Sequence, residues 1–188
     1  CKGYLVRDDN MKPLYMIGCI NEIGERQKAD NVSGLLGETG LRQYMDQQDT
    51  PLETGYLLRI GIDHFKEIND NFGQEYGDFV LRKTADCISG CLSEGQKVYK
   101  LVADEFLILD VSSDEVKDAD KLYDKVRAAT DRFIESNEFK VMYTVSGGIV
   151  PFAALKGNQC SEALKLTDFA LNEAKKLGRN RCYIFNGE

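Results

Sequence analysis

What most constrains this chain is a short strand followed by one long amphipathic helix and then two strands joined by a three-residue hairpin. Tyr56–Ile62 is an apolar run of β character. The spacing predicts a helix from about Gln74 to Leu92. Within it Tyr76, Phe79, Val80, Thr84, Cys87, Ile88 and Cys91 recur at intervals of three and four and share one face. Lys97–Leu101 and Glu105–Val111 read as strands flanking the tight turn Val102-Ala103-Asp104. Asp114–Glu135 repeats the helical period through Val116, Ala119, Tyr123, Val126 and Phe133. Met142–Val150 reads as a strand. Ser161–Leu177 reads as a helix with Ala163, Leu166, Ala170, Ala174 and Leu177 inward, and Gly178 stops it. Arg181–Phe185 is a closing strand. His64–Phe72 is expected to be a loop.

Strands alternating with long helices, plus one hairpin, give an α/β (α+β) fold with helices packed on a central, mostly antiparallel sheet. Its β-α-β-β-α-β core is the ferredoxin-like arrangement. Ahead of it, Tyr4-Leu5-Val6 and Tyr15-Met16-Ile17 flank the turn-rich Asp8-Asp9-Asn10 and read as a hairpin. Asn21–Asp30 is polar and reads as a helical linker. Val32–Leu36 opens the main domain, with a short helix near Glu38–Gln47. The division expected is residues 1–28, an upstream tail and linker, and residues 29–188, the main domain.

The 188 residues carry 43% hydrophobic side chains, enough to bury a core. A formal net charge of -7 argues against tight binding to nucleic acid or an anionic membrane. A nucleotide is still allowed, since one local Lys/Arg cluster can hold its phosphates. Six cysteines without a CxxC pair, beside one histidine, argue against zinc and fit a reduced, cytoplasmic setting. No apolar run spans a bilayer and no leader is visible, though the start at Cys1 suggests a piece of a longer protein, whose parent could be membrane-anchored.

Three stretches could carry chemistry together: Ile62–Asp70 leaving the first strand of the core, Val102–Phe106 at the hairpin, and Lys175–Arg179 ending the last helix. Singly each has a bland reading. Acidic hairpin residues are usually solvated, and paired lysines at a helix C-terminus complement its dipole. Together they resemble the GGDEF domains of diguanylate cyclases. Val32-Ser33-Gly34-Leu35 is similar to that family's opening LTGL. Asp63-His64-Phe65-Lys66, Ile68-Asn69-Asp70, Phe72-Gly73 and Gly77-Asp78 match its longest signature. Val145–Ile149, Asp168–Leu171, Ala174-Lys175 and Gly178-Arg179-Asn180 match its late strand and last helix. The pattern covers nearly all of Ala29–Phe185.

The resemblance implies a chemistry. Active members join two GTP molecules into cyclic di-GMP, two domains facing each other as a homodimer, with divalent metal on the phosphates. It implies that Asn69 and Asp78 hydrogen-bond guanine, that Lys175 and Arg179 hold the terminal phosphates, and that Phe65 and Lys66 lie beside the nucleotide. It assigns Asp104 and the Ile62 backbone to metal, with Mg²⁺ expected only if GTP binds. Glu105 is the remaining catalytic acid, and Val102-Ala103-Asp104-Glu105-Phe106 stand at the signature hairpin.

The departures are concentrated. Gly61 stands where the family carries its first metal carboxylate, and Asp63 is a poor substitute. Val102 and Ala103 replace paired glycines that admit φ > 0 and a close approach to phosphate, so Val102 is expected to crowd the nucleotide. Ser93 and Gln96 occupy the positions of the inhibitory RxxD site. The expectation is a decayed site that regulates rather than synthesises, either binding GTP or only packing against neighbours. A weakly active cyclase and a structural dimerisation domain stay open as alternatives. Gly3–Glu25 resembles the last strands of a PAS sensor domain and its junction. That would set the chain between an upstream sensor and, in some relatives, a downstream phosphodiesterase domain.

Overall fold

The computed structural model describes residues 2–7, 13–19, 29–50, 52–113, 115–136, 141–157 and 159–187, the first two segments by backbone alone. Strands β1 (Lys2–Arg7) and β2 (Pro13–Cys19) pair antiparallel as a hairpin of their own. The main domain then runs α1 (Glu38–Asp46), β3 (Tyr56–Ile62), α2 (Phe65–Phe72), α3 (Gln74–Cys91), β4 (Gln96–Lys100), β5 (Glu105–Asp110), α4 (Val116–Ser136), β6 (Val145–Pro151), α5 (Cys160–Lys176) and β7 (Cys182–Ile184). Its sheet has the order β4-β5-β3-β6-β7, antiparallel except for the β6–β7 pair. The first four are the ferredoxin-like core expected from the sequence.

Strand β3 lies at the centre and is buried along its whole length. Strand side chains alternate between faces, and here the alternation sorts two cores. Leu58, Ile60 and Ile62 of β3 join Phe106 and Ile108 of β5 against α3 and α4, through Val80, Ile88, Leu122 and Val126. Leu57 joins Leu107 and Leu109 on the opposite face, against Leu41 and Met45 of α1 and Ala163 of α5. Residues 59, 61 and 105 therefore belong to the α5 face. Strand β6 has no side chain at 147 and 148, and helices close in there from both sides. A Cβ on Gly147 would lie 2.7 Å from the Tyr123 ring of α4, and one on Gly148 would lie 2.3 Å from the Leu171 backbone nitrogen of α5.

Four expectations need correction. Residues 65–72 form a helix, not a loop. Only Ile68 is buried among eight mostly polar residues, so a helical period has too few apolar anchors to be read. Asp30 does not continue a linker helix. Its Oδ1 accepts the Val32 and Ser33 backbone N–H at 3.2 and 2.7 Å and so makes a turn, while Ala29 bridges to Leu36. Residues 20–28 lie outside the described residues. Strand β6 begins at Val145 rather than Met142, because its partner β3 ends at Ile62, which pairs with Val145. Leu177 caps α5 at 55% exposure, and Leu171 is the inward leucine instead.

Candidate functional site

The α5 face of the sheet brings Arg59, Gly61, Glu105 and Lys175 together. Gly61 pairs directly with Glu105 across β3 and β5. The Arg59 guanidinium donates to Glu105 Oε2 through Nε at 2.7 Å and also through Nη2, and its Nη1 donates to the Leu164 carbonyl at 3.0 Å. Asp168 Oδ1 lies 3.3 Å from the same guanidinium. Lys175 Nζ stands 3.8 Å from Glu105 Oε1. The Arg59 and Glu105 side chains are only 8% and 16% exposed, so water screens this pair weakly. Glu105 thus faces a cation on each of its two oxygens.

The signature hairpin closes with one left-handed residue. Ala103 takes φ 52, whereas Val102 does not and projects outward at 69% exposure. The residue with the lighter side chain carries the strain. Lys100 folds under the turn and donates to the Leu101 and Ala103 carbonyls at 2.8 and 2.5 Å, over the Phe106 ring. Burial pulls the Lys100 ammonium below its usual range, against the opposing pull of Asp30, Asp104 and Glu105. Burial likewise pushes the Asp104 carboxyl up, with Lys175 counteracting. The Asp104 carbonyl accepts the Ile62 N–H at 3.3 Å, tying the hairpin to the end of β3.

Asp63, buried just past β3, is saturated by protein. Its oxygens accept the Thr144 hydroxyl at 2.7 Å, the Ser146 hydroxyl at 2.8 Å and the Asn180 backbone N–H at 3.1 Å. That last bond clamps the turn after α5, where Arg179 and Asn180 both take left-handed φ, 61 and 48. Among the described residues no three His, Cys, Asp or Glu side chains gather as a metal-holding group.

Asn69 on α2 faces Gly77 on α3. Its Oδ1 is buried and accepts no hydrogen bond among the described residues. A Cβ on Gly77 would fall 1.8 Å from that oxygen and 3.3 Å from the Phe65 ring. Asp78 follows Gly77 and is half-buried, while Lys66 is exposed. Along α5 and the turn after it, Lys165, Lys175, Lys176 and Arg179 line a pocket of about 620 Å³ with Asp168, Phe169 and Asn172. Ser93 and Gln96 form a turn. The Gln96 side chain accepts the Ser93 N–H at 2.8 Å and donates to Asp110 at 2.7 Å.

Sequence reasoning passed over Arg59 and Lys100. The signal for Arg59 was present, a permanent cation inside an otherwise apolar strand, which demands a buried anion.

Residues 28–181 match the family described as diguanylate cyclase, GGDEF domain. The chain is 28% identical over 164 residues to diguanylate cyclase DgcZ of Escherichia coli, covering 86% of this chain and 54% of that protein. It is 32% identical over 172 residues to diguanylate cyclase DgcP of Pseudomonas aeruginosa, covering 85% and 24%. The cyclic di-GMP phosphodiesterase NbdA of the same organism is 30% identical over 165 residues, covering 84% and 20%. The chain thus spans about half, or less, of the curated relatives it matches. Among solved structures, the GGDEF domain of YfiN (TpbB) from Pseudomonas aeruginosa superposes with a TM-score of 0.71 at 26% identity, over 85% of this chain and 95% of that one. Diguanylate cyclase SiaD, solved with its activator SiaC, gives 0.73 at 24% identity over 87% and 64%, a likeness of fold. With residues 28–181 inside the family's pattern, the chain belongs to the GGDEF domains of diguanylate cyclases.

Proposed function

We propose that this domain is a degenerate GGDEF module that binds a guanine nucleotide and regulates, without joining two GTP molecules into cyclic di-GMP. The observation that carries this reading is the state of Glu105, held by Arg59 and approached by Lys175 opposite a glycine. The residues present do not fit divalent metal. Gly61 offers no ligand, Asp63 is spent on Thr144, Ser146 and Asn180, and Glu105 is already paired. Asp104 alone is left, and burial disfavours its charge. Two unit charges ~4 Å apart interact by about 4 kcal/mol at an effective dielectric near 20, and a divalent ion doubles that, here as repulsion from Lys175.

Nucleotide binding is supported by the orphaned Asn69 Oδ1, an acceptor with no protein donor. Leaving such a group unmade costs about 1–3 kcal/mol, which a donor on the guanine edge would offset. Lys175 and Arg179 line the pocket that suits phosphates. The greater lengths of the relatives and the separate β1–β2 hairpin support a place between an upstream PAS-like sensor and an output domain. In that setting the nucleotide regulates only by binding the output's two states unequally.

Two experiments test the reading. Prolonged incubation with GTP and Mg²⁺, followed by chromatography, should give no cyclic di-GMP above an Asp104→Ala control; product above that control overturns it. Thermal melting with GTP should raise the transition temperature, and Gly77→Ala should abolish the rise. Its new methyl would push the Asn69 amide aside while adding helix propensity.

A further inference from the structure

We infer that this site takes its guanine nucleotide free of divalent metal, with the Lys175 ammonium as the fixed cation for the phosphates. The inference rests on the nucleotide-binding reading above and specifies how that site meets a triphosphate. A Cβ on Gly61 would lie 3.1 Å from Lys175 Nζ and 3.3 Å from its Cε. With no side chain on Gly61, the Lys175 ammonium reaching down from α5 is the charged group that faces this point of β3. With no carboxylate at that position, the ammonium is left to repel a divalent ion and to attract phosphate directly.

The surroundings agree in charge. Lys165, Lys175, Lys176 and Arg179 line one pocket, whose single carboxylate, Asp168, is turned toward Arg59. Arg59 also takes up Glu105, the anion that would otherwise repel the phosphates from beneath. Arg179 is aimed by the left-handed turn that Asp63 clamps through Asn180. Lys176 is already paired with Glu173 at 2.6 Å, so Lys165, Lys175 and Arg179 are the cations that can meet a triphosphate without borrowed ions.

Calorimetric titration of the chain with GTP, in excess EDTA and separately in excess MgCl₂, tests this. The expected result is the same affinity in both buffers within about threefold, or tighter binding in EDTA. Loss of about tenfold or more in EDTA overturns the inference while leaving the nucleotide-binding reading intact. No binding in either buffer overturns both. Lys175→Gln, which keeps shape and removes charge, should weaken binding in EDTA by about tenfold or more. Gly61→Asp, which places an anion against Lys175, should do the same. If both variants melt like the parent and bind in EDTA with its affinity, Lys175 is not the phosphate cation and the inference falls.

Discussion

Lys175 Nζ lies 3.1 Å from the point where a side chain on Gly61 would begin. One residue is on the central strand and the other on the last helix, so the pocket's charge is decided by a contact distant in sequence. Restoring the family's carboxylate at position 61 alone is therefore expected to make an ion pair with Lys175, not a metal site. Gly61→Asp combined with Val102→Gly and Ala103→Gly should still give no cyclic di-GMP by chromatography. Product is expected only once Arg59→Leu is added, which frees Glu105.

The Arg59–Glu105 pair predicts a strong asymmetry between single and double substitutions. Arg59→Met leaves Glu105 buried with Lys175 as its remaining cation, and should lower unfolding free energy by about 3 kcal/mol. Adding Glu105→Leu should recover most of the loss, since an apolar pair of similar volume no longer needs compensation. Urea unfolding of the three variants measures the cycle; equal losses for single and double would contradict it.

The hairpin predicts a gain. Ala103 holds φ 52, a conformation that costs a residue with a Cβ ~1–2 kcal/mol. Ala103→Gly relieves that strain but loosens the unfolded chain, for a net stabilisation of about 0.5–1 kcal/mol. Thermal denaturation should show a higher midpoint, whereas Val102→Gly, at a residue without positive φ, should show none.

The long-range architecture was legible because β3 and β5 are buried on both faces and α3, α4 and α5 each bury one stripe, patterns that one-dimensional periodicity reports. Helix α2 was not, since eight residues with one fully buried anchor carry no readable period. In the site, the acidic hairpin and the cations ending α5 were visible as residue types in a known order. The role of Arg59 was not, because its meaning depends on a strand pairing that sets position 59 on the same face as Glu105. The saturation of Asp63 was equally hidden. Two of its three partners, Thr144 and Asn180, come from the residue just before one strand and a turn after a helix.

Two carboxyls should titrate with opposite effects on stability. Burial pushes Asp110 up, but hydrogen bonds from Gln96, Ser112 and Ser113 outweigh it and bring it down to about 2. The unfolded chain titrates near ~3.9, so the fold favours the ionised form. That contribution is complete above the unfolded value and disappears as pH falls toward 2. Asp110→Asn should therefore melt earlier than the parent at neutral pH and converge with it in acid.

Asp104 has the other sign. Its folded carboxyl is raised, chiefly by burial, so protonation favours the fold and that stabilisation is lost as pH rises through the folded value. Asp104→Asn should melt later than the parent at neutral pH, with the gap closing on acidification. A pH series of melting curves checks both carboxyls at once.

The bare backbone of Gly148 lets α5 sit against β6 at a separation no other residue permits. The helix is thereby given a fixed height above the sheet, and everything it carries downstream inherits that height. A single methyl group there would tilt the lever and lift its far end. The Lys175 ammonium would be drawn away from Gly61 and from Glu105, leaving Arg59 as that carboxylate's remaining cation.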